Sequence, residues 1–219
     1  MTPSIRTTLL CALGALLALP TWARSPPPLT TPWQDTWVST RPAAVPDMPD
    51  AGPEAPAAVI FSNFGRPPDG FAPEGWTIMG RGSDLGLYQA FATQFTPRSA
   101  ATVGDILIGV GIISGLNAVK VSLNADDGGD PGTVLAEVRL NDLEDYLWCC
   151  KPRRTGIQGI ALTAGRPYWV VVRPLTLVST TKAAWAWSGR YKLGRTAMNH
   201  GSYWAPETNY QGSLKVLAQ

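Results

Sequence analysis

The chain predicts an all-β protein, an antiparallel β-sandwich preceded by a Pro-rich linker, and three observations carry that expectation. From Val59 onward, apolar and polar residues alternate in short runs broken by Gly, Pro, Asn and Asp. No apolar stripe of helical period is long enough to make a helix. The runs, about ten of them, recur at the close spacing expected when two sheets are built from short strands. A barrel shares this pattern, and the sandwich is the expectation.

Each element follows from its own residues. Strands are expected at Val59–Phe64, Trp76–Met79, Tyr88–Phe95, Val103–Ile113, Ala118–Leu123 and Val134–Leu140. Later ones are expected at Ile157–Leu162, Tyr168–Arg173, Ala183–Tyr191 and Ser213–Leu217. Tyr168-Trp-Val-Val-Val reads as a strand buried on both faces. Trp185 and Trp187, separated by Ala186, share one strand face. An inward face would place them in the core against Trp169 and Tyr168, an outward one would make a stacking platform, and the core is the expectation.

Ahead of this domain, residues 1–23 have the order of a secretory signal peptide. Arg6 is the only charge before the apolar run Leu9–Leu19, which Pro20 ends just before Thr21-Trp22-Ala23. That run is far shorter than the roughly 20 residues needed to cross a bilayer as a helix. Cleavage is expected after Ala23, and no transmembrane segment is expected in the mature chain. Residues 24–57 hold nine prolines in 34 residues and no apolar periodicity, the composition of a semi-rigid spacer. Trp33 and Trp37 lie in it, either packing back or serving as a docking motif. The domain proper is expected over 58–219.

Further along, several segments resemble the secreted bacterial domains called choice-of-anchor domains. They are Phe71-Ala-Pro-Glu-Gly-Trp76-Thr-Ile, Gln89-Ala-Phe-Ala-Thr-Gln-Phe95-Thr-Pro, Val121 to Leu135, the Cys149-Cys150 pair, Leu162 to Val171 and Trp185-Ala-Trp187, in that order. The resemblance spans roughly Phe61 to Leu217 and implies a jelly-roll-like sandwich outside the cytoplasm with no established enzymatic activity. Members often end in a sorting or membrane anchor, whereas this sequence stops at Lys215-Val-Leu-Ala-Gln219. The expected localisation is therefore secreted or periplasmic.

Candidate sites are few. Asp126, Asp127 and Asp130, with the glycines between them, form either a tight turn or a calcium loop, because carboxylate oxygens suit a hard cation. The spacing is not that of an EF-hand. No other cofactor is expected. Cys149 and Cys150 are the only cysteines of the mature chain, and a vicinal disulfide between them is a candidate. Adjacent Cα atoms lie about 3.8 Å apart, below the ordinary disulfide span, so such a bond needs a strained backbone. Free thiols and bonds to another chain are the alternatives.

Catalytic machinery is sparse. His200 is the only histidine, and no Gly-x-Ser-x-Gly elbow occurs. Asp142 and Glu144 would share a face of an extended segment, as paired glycosidase carboxylates can, yet so do many solvated pairs. The net charge of +2 hides an asymmetry. Residues 24–150 carry seven basic and 15 acidic groups, and residues 151–219 carry ten basic and one acidic. The cationic third is also rich in Trp and Tyr, which suits an anionic polysaccharide or an envelope surface. Interleaved strands could equally bring those cations beside the acids of the first part. The ligand-binding candidates are Arg190, Tyr191, Lys192, Arg195, Tyr203 and Trp204. The expected function is an exported, non-catalytic binding domain recognising a glycan or envelope surface. A structural or adhesion protein of the envelope with protein partners is the alternative, and a secreted glycoside hydrolase is a weaker one. No nucleic-acid partner is expected, since no recognised binding motif occurs.

Overall fold

A computed structural model describes residues 57–66, 70–146 and 151–219. The signal segment, the linker with Trp33 and Trp37, and the Cys149-Cys150 pair lie outside the described residues. Within them the fold is all-β. In chain order the strands are β1 (Val59–Ser62), β2 (Phe71–Met79), β3 (Ala90–Phe95), β4 (Ala101–Ile108), β5 (Val110–Ser114), β6 (Ala118–Asp127) and β7 (Asp130–Asn141). They continue as β8 (Arg153–Arg154), β9 (Ala161–Leu162), β10 (Tyr168–Pro174), β11 (Lys182–Ser188), β12 (Leu193–Asn199), β13 (Trp204–Tyr210) and β14 (Leu214–Ala218). No helix among the described residues is long and apolar enough to cross a membrane.

Two layers face each other across one core. The back layer is a six-stranded sheet in the order β13-β12-β3-β10-β6-β7, and every pairing in it is antiparallel. The front layer holds β1-β14-β4-β8, with β9 also on β4, and a three-stranded sheet β2-β11-β5. Period-two alternation decides which side chains enter the core. From the back sheet come Phe91, Phe95, Val119, Val121, Leu123, Tyr168, Val170 and Val172, and from the front Trp76, Ile78, Ile106, Ile108, Trp185, Leu214 and Val216. Most connections pass from one layer to the other, which gives the sandwich its jelly-roll-like character.

The run expected as one strand over Val103–Ile113 is two. At Gly109 the chain changes partners, from β14 before it to β11 after it. The Gly109 N–H donates to Ser213 Oγ at 3.0 Å and its carbonyl accepts from Ala186 N at 2.8 Å. A Cβ here would lie 2.7 Å from that hydroxyl and 2.9 Å from the Phe71 ring, so only glycine lets the strand bend through this junction.

Trp185 is fully buried and donates its indole N–H to Ser213 O at 2.9 Å, which places it in the core as expected. Trp169 does not join it. Alternation along β10 sends Trp169 to the opposite face, where it is buried with Ala92, Val171 and Ala197 under Trp204. The edge strands β13 and β7 approach within 8 Å between Cα atoms, so the back sheet curls over this outer face. Small residues on β3 and β12 leave room for the curl.

Candidate functional site

The six ligand candidates fall into separate places. Arg190, Tyr191 and Lys192 form the β11–β12 turn at one end of the sandwich, whereas Tyr203 and Trp204 lie at the far end of the β12–β13 hairpin. Seven-residue strands separate the two groups by roughly 20 Å at about 3.3 Å per residue. Arg195 lies within β12 and reaches over the back sheet towards Gly129 O. Tyr203 is 72% exposed, while Trp204, expected beside an end loop, opens β13 and packs half-buried onto Ala92 and Trp169.

The Tyr191 end is where side-chain chemistry converges. The turn is closed by Tyr191 N donating to Ser188 O at 2.9 Å and Lys192 N donating to the buried Ser188 Oγ at 2.7 Å. Tyr191 adopts φ of 47°, a left-handed conformation that costs a side-chain-bearing residue about 1 kcal/mol or more. Neighbouring Gly189 meets the β1–β2 loop backbone to backbone. A Cβ on it would lie 2.3 Å from Gly70 O, so the two loops interlock only because glycine stands there.

A ladder of rings then runs from core to surface. Trp76 stacks on Phe91 at 4.2 Å and meets Trp187 at 5.5 Å. Trp187 packs on Tyr210 at 4.8 Å, and the Tyr191 ring stands edge-on to both, at 6.5 and 5.9 Å. Trp76 donates its indole N–H to Tyr210 O at 2.8 Å, whereas the Trp187 Nε1 proton is closed from solvent and has no acceptor. A buried donor left unmade costs about 1–3 kcal/mol, and such groups call for an explanation.

Charge surrounds the outer rung. Tyr191 OH donates to Glu74 Oε2 at 2.9 Å across 117 residues of chain. Burial, and then the carboxylate it touches, push the Tyr191 phenol above its ordinary range. Lys192 Nζ stands 4.9 Å over the Phe61 ring, a cation–π contact. Ion pairing across the strands does take up other cations of the C-terminal third: Arg154 pairs with Asp105, Arg173 with Glu137 and Lys182 with Asp84. Arg190 and Lys192 have no carboxylate partner among the described residues and are exposed.

Of the three aspartates, Asp126 is engaged within the fold. Asp126 Oδ1 accepts from Trp169 Nε1 at 2.7 Å and Gln94 Nε2 at 2.8 Å, and Oδ2 accepts from Gly129 N at 3.0 Å. Asp127 and Asp130 pair across the β6–β7 hairpin, whose Gly128 and Gly129 both take positive φ. Asp130 keeps one buried oxygen without a partner. No group of three or more His, Cys, Asp or Glu side chains among the described residues is placed to hold a metal ion. Asp142 has φ of 52° and follows the end of β7, so it and Glu144 do not project from one strand face. His200 is exposed in the β12–β13 loop.

No family model matches the chain, and neither the curated proteins nor the solved structures contain a match. The Tyr191 corner therefore rests on its own geometry. Sequence reasoning named three of its residues and missed Glu74, Trp187 as a donor, and Tyr210.

Proposed function

We propose that this protein is a non-catalytic binding protein of the cell exterior or envelope, and that the Tyr191 corner takes a sugar of an anionic polysaccharide. One observation carries the reading: a half-exposed tyrosine ring, held in a strained backbone conformation and backed edge-on by Trp187 and Tyr210, stands beside Glu74 and between two cations in sequence that have no carboxylate partner among the described residues. A pyranose offers what each part lacks. Its C–H face lies against the exposed Tyr191 ring, its hydroxyls donate to a carboxylate such as Glu74, and a uronate or sulfate group meets Arg190 and Lys192. Strain at an exposed aromatic fits a preorganised contact, since such conformations gather at ligand clamps. The resemblance to choice-of-anchor domains points to the same setting.

The test is a glycan-array screen of the purified protein followed by calorimetry. Binding to one class of acidic glycan is expected, lost at least tenfold in Tyr191→Ala and kept in Tyr203→Ala. A protein that binds acidic glycans equally well without the Tyr191 ring, or binds none, would end this reading.

A further inference from the structure

The opposite end of the sandwich has a different surface, and we infer that it docks on an anionic lipid bilayer. Three loops meet there: β2–β3, β10–β11 and β12–β13. Their backbones are locked together. Gly80 N donates to Thr181 O at 3.1 Å, Arg81 N to Leu177 O at 2.7 Å and Gly82 N to Ser179 O at 3.1 Å. A Cβ on Gly201 would lie 3.6 Å from both Leu177 Cδ2 and Tyr88 Cδ1 and 3.3 Å from Arg81 NH2, which brings the β12–β13 loop against the other two.

From this frame the apolar side chains point out. Val178 is 74% exposed, Tyr203 72%, and Leu87 and Leu177 each 45%. They come from three separate loops, so they make a set of tips and not a flat face. Scattered exposed aliphatics are ordinary on a protein surface, but a cluster gathered at one pole by interlocked loops is not. Its make-up favours lipid over protein. The cores of protein interfaces are enriched in aromatics, Met and Arg, whereas these tips are aliphatic apart from Tyr203, whose ring and hydroxyl suit the headgroup boundary.

Charge selects the lipid. Arg81 is exposed at the base of the tips and has no carboxylate partner among the described residues. The neighbouring Asp84 is held by Lys182 Nζ at 3.0 Å. On the far rim the pattern reverses. Leu116, 43% exposed, is tied to this end through Leu116 N donating to Thr180 Oγ1, and beyond it lies the acidic loop of Asp142 and Glu144, itself tied to Asn117 through Leu143. An anionic bilayer therefore attracts the Arg81 side and repels the Asp142 side. The molecule docks tilted, with Leu177, Val178, Tyr203 and Leu87 inserted and Leu116 lifted clear.

The experiment is sedimentation of the full chain with phosphatidylglycerol–phosphatidylcholine vesicles and with phosphatidylcholine alone. Binding to the anionic vesicles is expected to be the stronger and to weaken with salt. The double variant Leu177→Asp/Val178→Asp should partition about tenfold less or lower, and Arg81→Gln about fivefold less, both with unchanged circular dichroism. Leu116→Asp should bind as the parent does. Equal binding by the double variant would overturn the proposal, since attachment would then run through another segment such as Leu9–Leu19. So would a parent that stays in the supernatant with both vesicles. A parent that ignores vesicles but self-associates in a manner lost in the double variant would assign the tips to a second copy instead.

Discussion

The two poles of the sandwich put their large side chains to different use. At the Tyr191 pole side chains make the cross-links: ring on ring from Phe91 to Tyr191, phenol to Glu74, lysine over Phe61. At the Val178 pole the loops that carry the tips are joined through the amides of Gly80, Arg81 and Gly82, polar side chains such as Thr180 and Thr181 tie in the neighbouring β5–β6 loop, and the apolar side chains are left over. A surface whose side chains hold the fold has fixed geometry and suits a ligand of defined shape. One whose side chains are released suits a deformable partner. The same difference says where mutation should be felt in stability and where only in binding.

The largest effect should come from what both poles share. Trp185→Ala removes a fully buried indole and its hydrogen bond to Ser213 O, and urea unfolding should report a loss of about 3–5 kcal/mol. At the Tyr191 pole stability and binding are coupled, and the pair Tyr191→Ala and Tyr191→Gly separates backbone from ring. Both lose the ring, but only alanine keeps the strained φ, so the glycine variant should be the more stable by about 1 kcal/mol. Equal stability would mean that the backbone relaxes. At the other pole Val178→Asp should move the unfolding midpoint hardly at all, within about 0.5 kcal/mol.

The smallest effects are in pH. Glu137 bridges Lys120 and Arg173 at the Val178 end of the back sheet. Burial raises its pKa, but hydrogen bonds from Lys120 and Arg173 outweigh that and hold it below the ordinary carboxylate range. Its contribution is therefore present above the unfolded value, near 4.5, and is lost as pH falls through the folded one. Glu137→Gln should flatten the acid limb of a stability profile. Tyr191 and Tyr88 shift the other way: burial raises both, reinforced at Tyr191 by Glu74 and opposed at Tyr88 by Arg173. Above the unfolded value of 10.0 the unfolded chain ionises first, so stability should decline with rising pH. Ultraviolet titration should find two phenols ionising late, one of them moving part of the way back in Glu74→Gln, since burial remains.

Much of this frame was legible in the sequence, because strands that bury one face announce themselves. β6 alternates, β3 and β10 read as runs buried on both faces, and all three appear close to their expected bounds. β12 and β13 were not foreseen. Leu193-Gly-Arg-Thr-Ala-Met-Asn offers little alternation, and Pro206 in β13 argues against a strand unless the strand lies at an edge, as this one does. The bend at Gly109 was hidden inside an unbroken apolar run. Tyr191, Arg190 and Lys192 could be named from composition, but the partners that give Tyr191 its setting come from β2, β11 and β13. Asp126 shows the same limit. Its oxygens serve an indole, an amide side chain and the turn itself, and only the pairing of β10 with β6 brings that indole near.

The pairing of β1 with β14 has a temporal consequence. Among the described strands β14 is the last to be synthesised, yet it fills the gap between β1 and β4, and Leu214 N donates to Asn63 Oδ1 across 151 residues. A nascent chain therefore carries two naked strand margins until β14 emerges, exposed to mispairing and aggregation throughout. Closure waits for β14, so losing that strand should be as ruinous as losing one from the middle.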